Sequence, residues 1–418
     1  MKSASLQPDF EVASGPLDRF AERVLRDKLD VLEHGLLTLA DGPHRQIFGR
    51  RSEHCPLHAT LHVHDARFYR SVAFGGSIGA GESFMLGYWS ADDLTALMRI
   101  FLQNLDVLDG MEGGLVRFAA PLRRALHWAT RNTRAGSRRN IAAHYDLGND
   151  FFALMLDPTL MYSCALFEPP SLSLEQASIA KLELVCRKLE LKEGDHVLEI
   201  GTGWGGFALH AAGRYGCRVT TTTISRRQRE LAAQRITDAG LDRHVTVLEL
   251  DYRDLQGQYD KLVSIEMIEA VGHQFYGTFF GKCSELLKPD GTMLLQAITI
   301  GDQRYELARR SVDFIQRYIF PGSGLPSVSV LCSAIARATD MRLLHLEDIG
   351  ADYAITLRHW RENVFSNAER VRELGLSDRF VRMWQFYLCY CEAGFHERTL
   401  GDVQALLVKP QARRRRPR

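Results

Sequence analysis

The segment Glu199-Ile200-Gly201-Thr202-Gly203-Trp204-Gly205-Gly206 holds the residues whose types and spacing point most directly to chemistry. Glycines at 201, 203 and 206 let a turn between strand and helix bring its backbone close to a ligand. Dinucleotides and adenosyl sulfoniums both use such turns, so the spacing alone leaves two cofactor classes open. The acid that leads into the turn separates them. Glu199 would repel a pyrophosphate and suits a cationic amino acid and sulfonium, which favours S-adenosylmethionine over NAD. After the next strand, where a dinucleotide enzyme carries Asp or Glu for the ribose, this chain has Thr221-Thr222-Thr223-Ile224-Ser225 and then Gln228. Hydroxyls and an amide serve the same diol more weakly. Asp251, opening Asp251-Tyr252-Arg253-Asp254, reads either as an acceptor at the adenine edge or as part of a loop of solvated charges.

These residues need a parallel sheet to position them. From about Lys181 the pattern alternates strands and helices, as in βαβ units. Residues 196–200, 218–223, 245–250, 259–264 and 292–297 read as strands, and 204–215 and 226–239 as helices. The expected fold class is α/β, a doubly wound Rossmann-like sheet with a smaller N-terminal α+β domain. In that first domain residues 59–64 and 68–74 have β-like patterns, and a helix is expected from Ser90 to about Val107 with Asp92 and Asp93 in its first turn. Gly75, Gly76, Gly79 and Gly81 read as turns between strand and helix. The expected boundaries are 1–114 for the N-terminal domain, 115–140 for a basic linker, 141–410 for the catalytic domain and 411–418 for a basic tail.

A chain of 418 residues with 45% hydrophobic content is long enough for two or three domains. Its 52 Lys and Arg against 51 Asp and Glu create no global field toward nucleic acid or membrane. Local attraction remains open. Arg117, Arg123, Arg124, Arg131, Arg134, Arg138 and Arg139, interleaved with Phe118, Leu122, Leu126 and Trp128, form either a solvated helix or a patch for anionic headgroups. The run Arg413 to Arg416 adds to such a patch or is a disordered tail. The eight cysteines lack CxxC pairs, which argues for a reducing compartment and against structural zinc or any other metal. With no apolar leader in residues 1–20 and no spanning run, a soluble, cytoplasmic protein is expected.

Two further stretches carry a resemblance. The runs His144-Tyr145-Asp146-Leu147-Gly148-Asn149-Asp150-Phe151-Phe152 and Met161-Tyr162-Ser163-Cys164-Ala165-Leu166-Phe167 are similar to the cyclopropane-fatty-acid synthase family. The likeness continues through the glycine turn, Thr223 to Gln228, Ser264 to Gly272, Tyr318 to Gly322, Asp352-Tyr353 and Tyr390 to Phe395, covering most of residues 135–410. Gly81-Glu82-Ser83-Phe84-Met85 before Trp89 resembles the lipid-binding extension of bacterial members.

That resemblance implies a class I methyltransferase acting on unsaturated phospholipid acyl chains at the inner membrane face, as a homodimer. It implies that Tyr162, Ser163, Gly201, Gly203, Thr223 and Gln228 line the cofactor site. It further implies that Cys164, Glu269, Ile298 and Tyr353 surround a bicarbonate ion, Ile298 through its backbone. Two positions depart. Gln296 stands where several bacterial members have His, and Glu269-Ala270 where they have Glu-His.

The chemistry is consistent with these groups. Methylating an alkene leaves a carbocation beside the new methyl, and closing a ring requires a base to take a proton from that methyl, with Glu269 and Tyr353 as shuttles. Tyr162, Phe167, Tyr276 and Tyr318 are the aromatic faces available to steady the cation. Cys164 has no His/Asp partner pattern, so it reads as a ligand or a packed thiol and not as a nucleophile. A methyl- or methylene-branched product, or a furan precursor, is the alternative that Gln296 keeps open. Small-amine N-methylation and a lipid binder without catalysis are further readings; the basic linker argues against the first, and Glu199, the glycines and Glu269 against the second.

Overall fold

The computed structural model describes residues 15–107, 109 and 148–413. The basic stretch 115–140, the His144 to Leu147 part of the motif and Arg414 to Arg416 lie outside the described residues. The chain divides into two compact units, residues 1–122 with 377–393, and residues 123–376 with 394–418.

In the first unit, helix α1 (Pro16–Leu29) precedes β1 (Gly35–Asp41), β2 (His44–Arg50) and β3 (His58–Val63). Helix α2 (Arg67–Met85), β4 (Trp89–Ala91) and α3 (Leu94–Gln103) follow, and the strands form one sheet in the order β2-β1-β3-β4. Three expectations fail here. Residues 68–74 are helical, because Phe68, Tyr69 and Val72 are buried together at helical spacing. The glycines expected as turns lie within the same helical run, which kinks at Gly76 (φ 59°). A Cβ on Gly79 would collide with the Ser71 carbonyl, so the close approach of the two halves requires glycine there. Ser90, expected to open a helix, is in β4, and the helix begins after Asp93, whose side chain accepts from Ala96 N at 2.8 Å. Such a cap contributes about 1 kcal/mol.

Residues 377–393, expected with the catalytic domain, group with the first unit. They belong to the helix Asp378–His396. Its Phe386 packs on Phe84 and Trp89, with ring centroids 5.7 and 6.5 Å apart, and Glu392 accepts from Thr95 Oγ1 at 3.3 Å.

The second unit is built on a sheet of β5 (His196–Ile200), β6 (Arg218–Thr222), β7 (Val245–Leu248), β8 (Tyr259–Ile265), β9 (Leu287–Ile300), β10 (Arg342–Asp348) and β11 (Leu400–Val408). Their order is β10-β11-β9-β8-β5-β6-β7, and β11 runs antiparallel to both β9 and β10 while the rest are parallel. Alternation along the strands sends Leu198, Leu262, Met293 and Leu295 to one apolar layer. It sends Val197, Val263 and Leu294 to the other, where Phe207, Ala208 and Ala211 cover them.

Because β5 pairs in parallel with both β6 and β8, the chain winds away from β5 in two directions. The carboxyl ends of β5 and β8 therefore form the switch point, the place where such sheets hold ligands. The same unit contains the helices Asn149–Met155, Leu174–Leu189, Gly206–Tyr215 and Gly350–Ser366. Ser173 begins the second with a capping box, its hydroxyl accepting from Gln176 N while Gln176 Oε1 accepts from Ser173 N.

Candidate active site

The expected cofactor residues are brought together around the end of β5. Gly201 (φ 107°) and Gly203 (φ 52°) turn the chain, and a Cβ on Gly201 would press on the Met267 side chain at 3.3 Å. Gly201 N and Thr202 N both donate to Thr222 O at 3.0 Å, which ties the turn to β6. Glu199 is buried beneath, and its Oε2 has no hydrogen-bond partner among the described residues. Burial, opposed by a Thr221 hydrogen bond and the charge of Lys181, pushes the Glu199 carboxyl up to about 8. An orphaned carboxylate beside a glycine turn fits a cationic methyl donor, whose charge supplies what the site lacks.

The other members flank this turn. Thr223 Oγ1 donates to Gln228 Oε1 at 2.9 Å, leaving the amide NH2 of Gln228 to face elsewhere. Ser163 Oγ accepts from the buried Lys181 ammonium at 2.8 Å. Tyr162 sits in an aromatic group with Phe152, Trp360 and Phe320, centroids 5.4, 5.2 and 6.2 Å away. Asp251 lies at the end of β7, held by Arg253 at 2.7 Å from each carboxylate oxygen. Its carboxylate is therefore already engaged by a cation.

A second cluster lies between β8, β9 and β11, and here the geometry departs from expectation. Glu269 Oε1 accepts from Ile298 N at 2.6 Å, so two groups expected around bicarbonate satisfy each other. Tyr353 Oη donates at 2.6 Å to Glu266, a residue the sequence reading left without a role. The other Glu266 oxygen accepts from Cys164 N and from Gln296 Nε2, each at 2.8 Å. Gln296 Nε2 also donates to Asp402 Oδ2 at 2.8 Å. The donors that a bound bicarbonate would use are thus spent on protein carboxylates, and a further anion beside Glu266 would meet like charge. The residues present do not fit bicarbonate.

Charge in this cluster is unevenly divided. Burial, and next the charge of Glu266, push Glu269 up to about 8. Asp402 is driven well above the carboxylate range by burial and by the Glu266 and Glu269 charges. Glu266 is raised by burial, but Tyr353, Cys164 N, Lys181 and Gln296 all favour its ionised form. The buried Cys164 thiol is pushed far up by burial and by the Asp402 and Glu266 charges. It stays a thiol, its Sγ 3.2 Å from Ala165 O and 3.6 Å from Ile349 O, consistent with packing and not with nucleophilic use.

Sequence reasoning missed Glu266, Asp402, Gln404, Lys181 and Lys188. A signal was there for the first three. Glu266 precedes Glu269 by three residues at the end of an apolar strand, and Asp402 and Gln404 alternate within apolar β11, so that the register sets Gln404 beside Gln296 and Asp402 beside Ile298. The remaining aromatic candidates make these contacts. Phe167 stacks on His359 at 5.4 Å, Tyr276 Oη donates to Gly324 O at 3.1 Å, and Tyr318 packs on Phe314 at 5.1 Å. Gly324 N donates to Glu269 O at 2.9 Å, tethering the loop after Pro321 to the acidic cluster.

Comparison with known proteins agrees with the fold. Residues 132–405 match the family model described as mycolic acid cyclopropane synthetase. The chain is 38% identical over 356 residues to a tuberculostearic acid methyltransferase of Mycobacterium tuberculosis, covering 84% of this chain and 82% of that one. It is 38% identical over 349 residues to the cyclopropane-fatty-acyl-phospholipid synthase of Escherichia coli strain K12, covering 83% and 86%. A solved mycolic acid cyclopropane synthase complexed with SAH and CTAB aligns with a TM-score of 0.61 at 32% identity, covering 65% of this chain and 98% of that one. The protein therefore belongs to the mycolic acid cyclopropane synthetase family and is an S-adenosylmethionine-dependent methyltransferase.

Proposed function

We propose that the protein methylates the carbon-carbon double bond of an unsaturated phospholipid acyl chain and closes a cyclopropane ring. One observation carries this reading: ionisable carboxylates are buried beside the glycine turn, in a region walled by aromatic rings. Methyl transfer to a free amine needs no sealed base. Methylation of an alkene does, because a proton must leave the new methyl group before water reaches the cation.

When bound, S-adenosylmethionine supplies an electrophilic methyl group. Gly201 and Gly203 give its backbone cradle, Glu199 answers its positive charge, and Thr223, Gln228 and Asp251 are the polar groups for its nucleoside. Tyr162 and Ser163 close the site on the side of Cys164. The aromatic set around Tyr162 excludes water and offers ring faces to developing positive charge.

A methylene- or methyl-branched product is the second reading. It is favoured by the tuberculostearic acid methyltransferase, which is as similar to this chain as the cyclopropane synthase is. The ring and the methylene branch require the same first bond and the loss of a proton from the same methyl. Among the described residues no helix is long and apolar enough to cross a membrane. The proposal is that the enzyme reaches its substrate from the surface, with the arginines from 117 to 139 drawing it to anionic lipid.

Mass spectrometry of fatty acids from cells expressing the protein, beside cells that do not, tests the function. A gain of one CH2 on monounsaturated chains with loss of the double bond supports it, and derivatisation separates ring from branch. Unchanged fatty acids would contradict it.

A further inference from the structure

Glu266 stands out among the buried groups. It has a left-handed backbone (φ 48°), a conformation that costs a non-glycine residue about 1 kcal/mol or more and persists only where surrounding contacts enforce it. Here they do. Glu266 N donates to Gln296 O at 2.9 Å, and the side chain is then caught by Tyr353, Cys164 N and Gln296.

The Gln296 amide is itself oriented. Lys188 Nζ, which can only donate, bonds Gln404 Oε1 at 2.7 Å, so Gln404 must present its NH2 to Gln296 Oε1, 3.1 Å away. Gln296 therefore has its own NH2 aimed at Glu266 and Asp402. A buried lysine thus fixes, through two amides, the donors on one carboxylate.

We infer that Glu266 is the proton acceptor of the reaction, so that this enzyme carries its base as a side chain and does not use bicarbonate. The inference rests on the proposed acyl-chain reaction. In it the alkene π pair forms a bond to the transferred carbon as the carbon-sulfur bond breaks, leaving a neutral thioether and a carbocation. A C–H bond of the new methyl then breaks. Its electron pair closes the ring, or forms an exocyclic double bond if a hydride has first shifted, and its proton goes to a Glu266 oxygen. The positive sulfonium and the negative carboxylate are both neutral at the end. Glu269 and Asp402, held protonated, are poor acceptors for this proton.

The test is turnover of S-adenosylmethionine on vesicles of monounsaturated phosphatidylglycerol, in degassed buffer stripped of carbon dioxide and again with added bicarbonate. Wild type is expected to be equally active in both. Glu266→Gln should lose about a hundredfold or more in kcat while its affinity for S-adenosylhomocysteine, measured by calorimetry, is retained. Glu266→Gly, which opens the space, should regain activity on adding bicarbonate. A wild type that needs bicarbonate, or a folded Glu266→Gln variant of near-normal kcat, overturns the inference and leaves the acyl-chain reading intact. No turnover by wild type in either buffer removes the acyl-chain reading, and the inference with it.

Discussion

Tyr353 donates its phenolic hydrogen to Glu266 across a separation of 2.6 Å, joining the start of the helix Gly350–Ser366 to the end of β8. Tyr353 is held by stacking on Phe395, 4.5 Å away, and by an edge contact with Trp360 at 5.9 Å. The phenol cannot swing aside without breaking both contacts. It favours the ionised form of a carboxylate that burial would otherwise neutralise.

Removing that donor should raise the pKa of Glu266. A hydrogen bond to a charged group contributes about 1.5–3 kcal/mol, which corresponds to roughly one to two pH units. A base must be ionised to act, so Tyr353→Phe should move the acidic limb of the kcat profile upward by that amount and lower kcat at neutral pH by about tenfold or more. Aromatic packing is conserved in this variant. An unmoved limb would separate Tyr353 from the base.

Lys188 acts further away, as a positioning residue. It is buried, paired with Glu347 and bonded to Gln404, and through Gln404 it fixes the direction of Gln296. Lys188→Met keeps the volume but lets both amides rotate, so kcat should fall by about tenfold with the acidic limb again shifted upward, while cofactor affinity stays the same. Lys188→Arg should restore part of the profile. Loss of stability with an unchanged pH profile would reduce Lys188 to a structural role.

Glu199 makes the ligand-free protein sensitive to pH. Its folded pKa is raised from 4.5 to about 8, so between those values the folded state retains a proton that the unfolded chain has lost. Stability should therefore fall as pH rises through that window, by about 1.4 kcal/mol per unit for this group, and level off above it. Glu199→Gln should flatten that part of the denaturation profile. Binding the cationic donor near neutral pH should also release a proton, seen as a dependence of binding heat on the ionisation enthalpy of the buffer. Identical heats in all buffers would remove Glu199 from the cofactor site.

The sheet was legible because its strands are short apolar runs set between helical periods, and the glycine turn because Gly201 and its neighbours leave few other uses for that spacing. The kinked helix was not. Residues 68–74 have a strand-like pattern, and the reasons for glycine at 76 (φ 59°) and at 79, where a Cβ would strike the Ser71 carbonyl, exist only in the folded, kinked helix. In the acidic cluster, the resemblance drew attention to Glu269 and away from Glu266. What distinguishes the two is which donors reach them, and those come from Cys164, Gln296 and Tyr353, far apart in sequence and joined only by the fold. Asp402 and Gln404 become visible only once β11 is known to lie antiparallel against β9.

The most direct measurement of the central claim supplies the purified enzyme with S-adenosylmethionine bearing a trideuterated methyl group and vesicles of monounsaturated phospholipid, and weighs the acyl product. Transfer to the double bond followed by proton loss from the methyl should leave two of the three deuteriums on the chain, with one saturated ring or one new double bond. Retention of all three, or label found only on the headgroup, would contradict it.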